Sequence, residues 1–147
     1  MTPTLSIIRT FAAPVAAVFR AWTDPDRMRD WLAPAPCDVV EVAADPRVGG
    51  AYRLVVRDPH GNTHVTHGEY RELVPDTRLV ATWVYEGPFH SDPYPTLLTV
   101  DFRAIDAGTT EVTLRHDQLI TQEDREANRE GWRLCFAKLD LLLAAER

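Results

Sequence analysis

Basic charge is in short supply in this chain. Its 147 residues carry 16 Lys plus Arg against 22 Asp plus Glu, a formal net charge of −6, with a pI of about 5.3. Such a surface repels polyanions, which argues against nucleic acid and anionic membrane as partners. Long apolar runs are missing too: 18 apolar residues never stand together, and the start MTPTLSIIRTF lacks the basic flank and cleavage site of a signal peptide. A cytoplasmic protein is expected. There are two cysteines, Cys37 and Cys135, not spaced as C-x-x-C. A reducing compartment keeps both free, with Cys135 buried. The two serines, Ser6 in a strand and Ser91 in a loop, lend little support to nucleophilic catalysis. Cys37 has no basic neighbour in sequence to activate it.

What is present suits one domain over residues 1–147. TLSIIRTF (4–11) reads as a strand that stops before Pro14, which fits the first position of a helix carrying Val15, Val18, Phe19 and Trp22 on one stripe. In AWTDPDRMRDWL (21–32) that helix breaks. Thr23 or Asp24 can cap a second short helix that starts at Pro25 and includes Met28, Trp31 and Leu32, and Pro34 and Pro36 close it. Strands follow over 37–44, 50–57, 63–74, 78–86, 96–105 and 110–117, with Asp45–Gly49 and Asp58–Asn62 as turns. In the last two strands Leu98, Val100, Phe102, Val112, Leu114 and His116 share a covered face. A capping box, Thr121 with Asp124, opens a long helix with Trp132, Cys135, Phe136, Leu139, Leu142 and Leu143 at helical spacing; Leu134 and Leu141 widen that stripe. The segregation of elements predicts an α+β fold, a curved seven-stranded antiparallel sheet around the carboxy-terminal helix.

The pieces VFRAWTDPDRMRDWL, DPRVGGAYRLVVRDPHG, HGEYREL, TRLVATW, TEVTLRHDQL and GWRLCFAKLDLLL, in this order, resemble the bacterial homologues of the heat-shock-protein-90 ATPase activator domain. That family lies within the START-like (SRPBCC) helix-grip superfamily. The chain reads WLAP at 31–34 where the family more often has Trp-Trp-Gly-Pro, and EGPFHSDPYP is particular to it. The resemblance implies a cavity between sheet and long helix, used in the superfamily for apolar ligands and in some branches for cyclisation chemistry. It implies no cofactor. The expected partner is a small apolar or aromatic ligand; a chaperone or other protein, and a second copy in a homodimer, stay open, as does a cyclase or hydratase activity.

Residue by residue, Trp22 reads as core, while Trp31 stands either at the cavity mouth or under the neighbouring loop. Phe11, Tyr52, Leu54, Trp83, Tyr85, Phe102, Trp132 and Phe136 are candidate lining residues; for Trp83 and Tyr85 this requires odd-numbered residues of 78–86 to face inward. His116, inward by alternation, is either a satisfied structural histidine or a ligand-bonding or proton-accepting group. His60, His64 and His67 do not converge on a metal, because 64 and 67 point to opposite faces of a strand. Of Glu69 and Glu72, at most one faces inward. Val48-Gly49-Gly50 precedes a strand, so it is a tight turn and no phosphate loop. The 86–95 loop, with Phe89 and Tyr94, is either a lid or partner surface or a loop tucked onto its own domain.

Overall fold

The computed structural model describes residues 4–88 and 93–146. Strand β1 (Leu5–Phe11) leads into helices α1 (Val15–Thr23) and α2 (Pro25–Met28). Six strands follow, β2 (Asp38–Ala44), β3 (Ala51–Arg57), β4 (Thr63–Val74), β5 (Arg78–Glu86), β6 (Pro95–Asp106) and β7 (Thr109–Asp117), then helix α3 (Gln122–Ala145). The sheet is antiparallel in the order β1-β7-β6-β5-β4-β3-β2, so β2 to β7 neighbour in chain order and β1 returns beside β7. With α3 covering one face, this is the helix-grip arrangement. Among the described residues no helix is long and apolar enough to cross a membrane.

Alternation places the core as the pattern demands. Leu98, Val100, Phe102, Val112, Leu114 and His116 are all buried, and α3 sets Trp132, Cys135, Phe136, Leu139 and Leu143 against them. Leu141 does not join that stripe. At 100° per residue it lies on the far side of α3 from Leu139 and is 73% exposed. Thr121 caps α3 by accepting a hydrogen bond from the Asp124 N–H at 3.1 Å.

The break between α1 and α2 has a mechanical role. Pro14 is the N-cap of α1 rather than its first helical residue; its carbonyl accepts from the N–H groups of Ala17 and Val18. Asp24 caps α2 through the Asp26 N–H, with Pro25 in the first position. Helix α2 ends at Met28, so Trp31 and Leu32 fall in the turn after it and not within it. Pro25 has no N–H to offer the carbonyl four residues earlier, that of Ala21. The indole Nε1 of Trp31 donates to that carbonyl instead, at 2.8 Å. The ring packs edge-on to Trp22, 4.7 Å between centroids, and stacks on Phe136. Trp31 is therefore fully buried core and not a residue of a cavity mouth.

Strand β4 changes facing along its length. Its register against β5 slips between Tyr70 and Glu72, a β-bulge. Before the bulge Tyr70 is buried, and after it Leu73 packs against the core opposite Leu79. Both Glu69 and Glu72 end up exposed, so neither carboxylate points inward. In the turn before β3, Gly49 adopts φ +86°, and a Cβ on Gly50 would overlap the Asp45 carbonyl.

Candidate functional site

A cavity of about 500 Å³, partly open to solvent, lies between α3 and the sheet. The helix contributes Glu123, Asp124, Asn128, Gly131, Trp132 and Cys135; the sheet contributes Leu54, His64, Thr66, Trp83, Tyr85 and His116. Leu32, Pro34, Cys37, Asp58 and Tyr94 complete the lining. Odd-numbered residues of β5 do face inward, with Leu79 and Ala81 in the core and Trp83 and Tyr85 on the cavity wall. Trp83 and Trp132 lie 5.1 Å apart between centroids and form an aromatic corner. Gly131 sits in the middle of α3, where a Cβ would meet nothing within 4 Å. The cavity therefore extends over the helix backbone at that point.

His116 is fully buried, with a protein partner on each nitrogen. Trp132 Nε1 can only donate, so Nδ1 of His116 accepts, at 3.3 Å. The proton then sits on Nε2, which donates to Thr96 Oγ1 at 2.7 Å, and that hydroxyl donates onward to the Trp83 carbonyl at 2.6 Å. Burial pulls the imidazole down to about 4, outweighing the opposing pull of Asp117. Near neutral pH this is an uncharged ring whose hydrogen bonds fix both tryptophans of the corner.

A second histidine sits differently. His64 Nε2 faces Asp58 Oδ2 at 2.9 Å and its Nδ1 faces Tyr85 Oη at 2.7 Å. Asp58 uses its other oxygen to fold the turn, accepting from the N–H groups of His60 and Asn62. The His64 bond, helped by those backbone bonds, holds the Asp58 carboxyl down to about 2. His67 points away and pairs with Glu86 on the exposed face.

Two further groups close the site. Tyr94 donates to Asp124 at the start of α3 and accepts from the Ile120 N–H, tying down that end of the 86–95 loop. Phe89 and Ser91 of the same loop lie outside the described residues. Burial pushes the Cys135 thiol up to about 12, and burial plus the Asp58 charge raise Cys37, so both stay protonated near neutral pH.

Of the residues expected along the cavity, Leu54, Trp83, Tyr85, His116 and Trp132 line it. Trp31, Phe102, Phe136 and Phe11 do not. Phe11 meets Phe136 edge-on and Phe102 meets Phe19 edge-on, within the packed core. Tyr52 borders a separate void of about 20 Å³ with Trp22 and Tyr70, room for about one water molecule. Its hydroxyl donates to the Thr82 carbonyl. Sequence reasoning missed Asp58 and His64 as a pair on the cavity; the Asp-Pro turn opening β4 was the available signal.

The sequence profile of the Activator of Hsp90 ATPase homolog 1-like protein family matches residues 12–144, nearly the whole chain. The chain belongs to that family. A solved protein from Rhizobium leguminosarum is 29% identical, with 97% of this chain and 95% of that one covered and a TM-score of 0.81. One from Rhodobacter sphaeroides is 28% identical, covering 98% and 94%, with a TM-score of 0.82. The AHSA1 protein from Silicibacter pomeroyi, 22% identical over 99% and 100% at a TM-score of 0.86, shares the fold. No curated protein matches the chain. Membership in the Hsp90-activator-like family accounts for the helix grip; the cavity's chemistry has to be read from the residues of this member.

Proposed function

We propose that this protein binds a small aromatic ligand, neutral or cationic, in the cavity between sheet and α3. The observation that carries this reading is the composition of the wall. Trp83, Trp132, Tyr85 and Tyr94 supply aromatic area, Asp58, Glu123 and Asp124 supply carboxylates, and no Lys or Arg belongs to the described lining. The volume is in the range of small-molecule sites. Aromatic faces attract cations, and the carboxylates repel an anionic headgroup, so fatty acids and aryl carboxylates are poor candidates. Because His116 is already committed to Trp132 and Thr96, it shapes the wall, and the orienting groups are Tyr85, Thr66 and the carboxylates.

The test uses two probes of one size and opposite charge, 1-naphthylmethylamine and 1-naphthoate, followed by quenching of tryptophan fluorescence and by thermal shift. Saturable binding of the amine, with naphthoate weaker at low salt, is expected. Gly131→Phe fills the cavity from the helix side and should abolish binding while the protein stays folded. Absence of binding for both probes, or binding untouched by Gly131→Phe, overturns the reading. In that event the stimulation of the Hsp90 ATPase for which the family is named becomes the activity to assay.

A further inference from the structure

We infer that the small void beside Trp83 is an inner subsite of the ligand cavity that takes an uncharged carbonyl oxygen, with Trp22 Nε1 and Tyr70 Oη as its donors, so that the ligand is an aromatic ketone or a related carbonyl compound. This rests on the ligand reading above and narrows it. Two orphaned donors carry it. Among the described residues three buried side-chain polar atoms lack a hydrogen-bond partner: Trp22 Nε1, Tyr70 Oη and Arg78 Nε. Arg78 Nε stands 3.5 Å from Glu72 Oε2 in an ion pair. The other two have no such neighbour, although Trp22 is only 4% exposed and Tyr70 2%. A buried donor without an acceptor is rare and costly in a folded protein, which marks both atoms as places for a bound acceptor. Both residues border the same void of about 20 Å³.

The void adjoins the cavity. Leu32, Leu54 and Trp83 belong to the walls of both, so one layer of side chains separates them. A continuous series of ring contacts runs from one donor to the other through the aromatic corner. Trp22 stacks on Trp132 at 5.6 Å between centroids, Trp132 meets Trp83 at 5.1 Å, Trp83 meets Tyr52 at 6.1 Å, and Tyr52 meets Tyr70 at 5.4 Å.

The donors select the acceptor. An indole N–H can only donate. Burial, with the charge of Asp45, pushes the Tyr70 hydroxyl up to about 12, so near neutral pH it keeps its proton and donates as well. Two donors match the two lone pairs of one carbonyl oxygen, whereas a ring nitrogen offers a single one. The rest of the wall includes Met28, Leu79, Ala81 and Leu98 and holds no cation, so a carboxylate there would be buried without a counter-charge. The room, about that of one water molecule, admits the oxygen while the ring stays in the cavity against Trp83. Water offers the same lone pairs, and the experiment separates the two sources.

The probes are 1-tetralone and tetralin, the same bicycle with and without the carbonyl. Binding is followed by tryptophan quenching, and the carbonyl stretch of bound tetralone by isotope-edited infrared spectroscopy. A merely apolar cavity favours tetralin, because the ketone gives up its hydration without return. The wild-type protein should instead prefer tetralone by about tenfold or more, since only the ketone pairs the two donors. The stretch of the bound ketone should lie below its position in hexane. Tyr70→Phe removes a hydroxyl and keeps the ring; it should cut the preference about tenfold, move the band back up and leave tetralin binding as it was. Trp22→Phe should raise the band too. That variant also takes volume from the core, so it is read from the band alone, and Tyr70→Phe decides where it fails to fold. Tetralin bound more tightly than tetralone by the wild type overturns the inference. So do a preference and a band that Tyr70→Phe leaves unchanged, which mean that water keeps the void; in both cases binding of 1-naphthylmethylamine leaves the ligand reading standing. Failure of tetralone, tetralin and 1-naphthylmethylamine alike to bind removes both.

Discussion

Lowering the pH should destabilise this protein through His116. Burial takes the imidazole from its ordinary 6.5 to about 4 in the folded state. The unfolded chain therefore binds a proton as pH falls through 6.5, and the folded chain does not until about 4. Proton uptake by the unfolded state alone costs stability, so the contribution is complete above 6.5 and is lost on going down. From that linkage the loss relative to pH 8 is about 2 kcal/mol at pH 5 and about 3 kcal/mol at pH 4. Urea denaturation at half-unit steps from pH 8 to 4, for wild type and His116→Gln, measures it. The variant loses the Trp132 and Thr96 bonds and starts lower, but its stability should fall less steeply across the window. Parallel curves for the two proteins would refute the reasoning, because every other titrating group is common to both.

Gly131→Ala adds a methyl where nothing lies within 4 Å and removes a glycine from the middle of α3, so it should stabilise by about 0.5–1 kcal/mol in urea denaturation. A decrease would mean that the helix needs glycine there. Trp31→Phe should cost about 2–4 kcal/mol, because it leaves the Ala21 carbonyl without the indole N–H and opens a void beside Trp22 and Phe136. A loss under about 1 kcal/mol would show that water or a neighbour replaces the indole, while the Gly131→Phe block on ligand binding would be unaffected.

The elements of this fold were legible because each is written in local chemistry. Period-two alternation marks β6 and β7, the Asp24-Pro25 and Thr121 caps mark α2 and α3, and the Asp58–Asn62 turn marks the hairpin between β3 and β4. Trp31 was harder to place, since its burial depends on a carbonyl ten residues earlier that Pro25 leaves without a partner. Leu141, by contrast, falls on the exposed side of α3 by helical period alone, 200° around the helix from Leu139.

By itself, then, the sequence determined the α+β order of elements, the covered faces of β6 and β7 and the axis of α3, because side-chain period and capping act within a few residues. Tertiary structure alone decided the rest. The bulge after Tyr70 sets which face β4 presents on each side of it, a one-residue slip that period-two patterning cannot reveal when both faces carry mixed side chains. The core closes over Phe102 and Phe136 yet leaves space at Gly131, a matter of which side chains meet between helix and sheet. Asp58, His64 and Tyr85, up to 27 residues apart in the chain, meet because β5 pairs with β4 in that register. A hydrogen bond between side chains on neighbouring strands is a property of strand pairing, and no local pattern of residues encodes it.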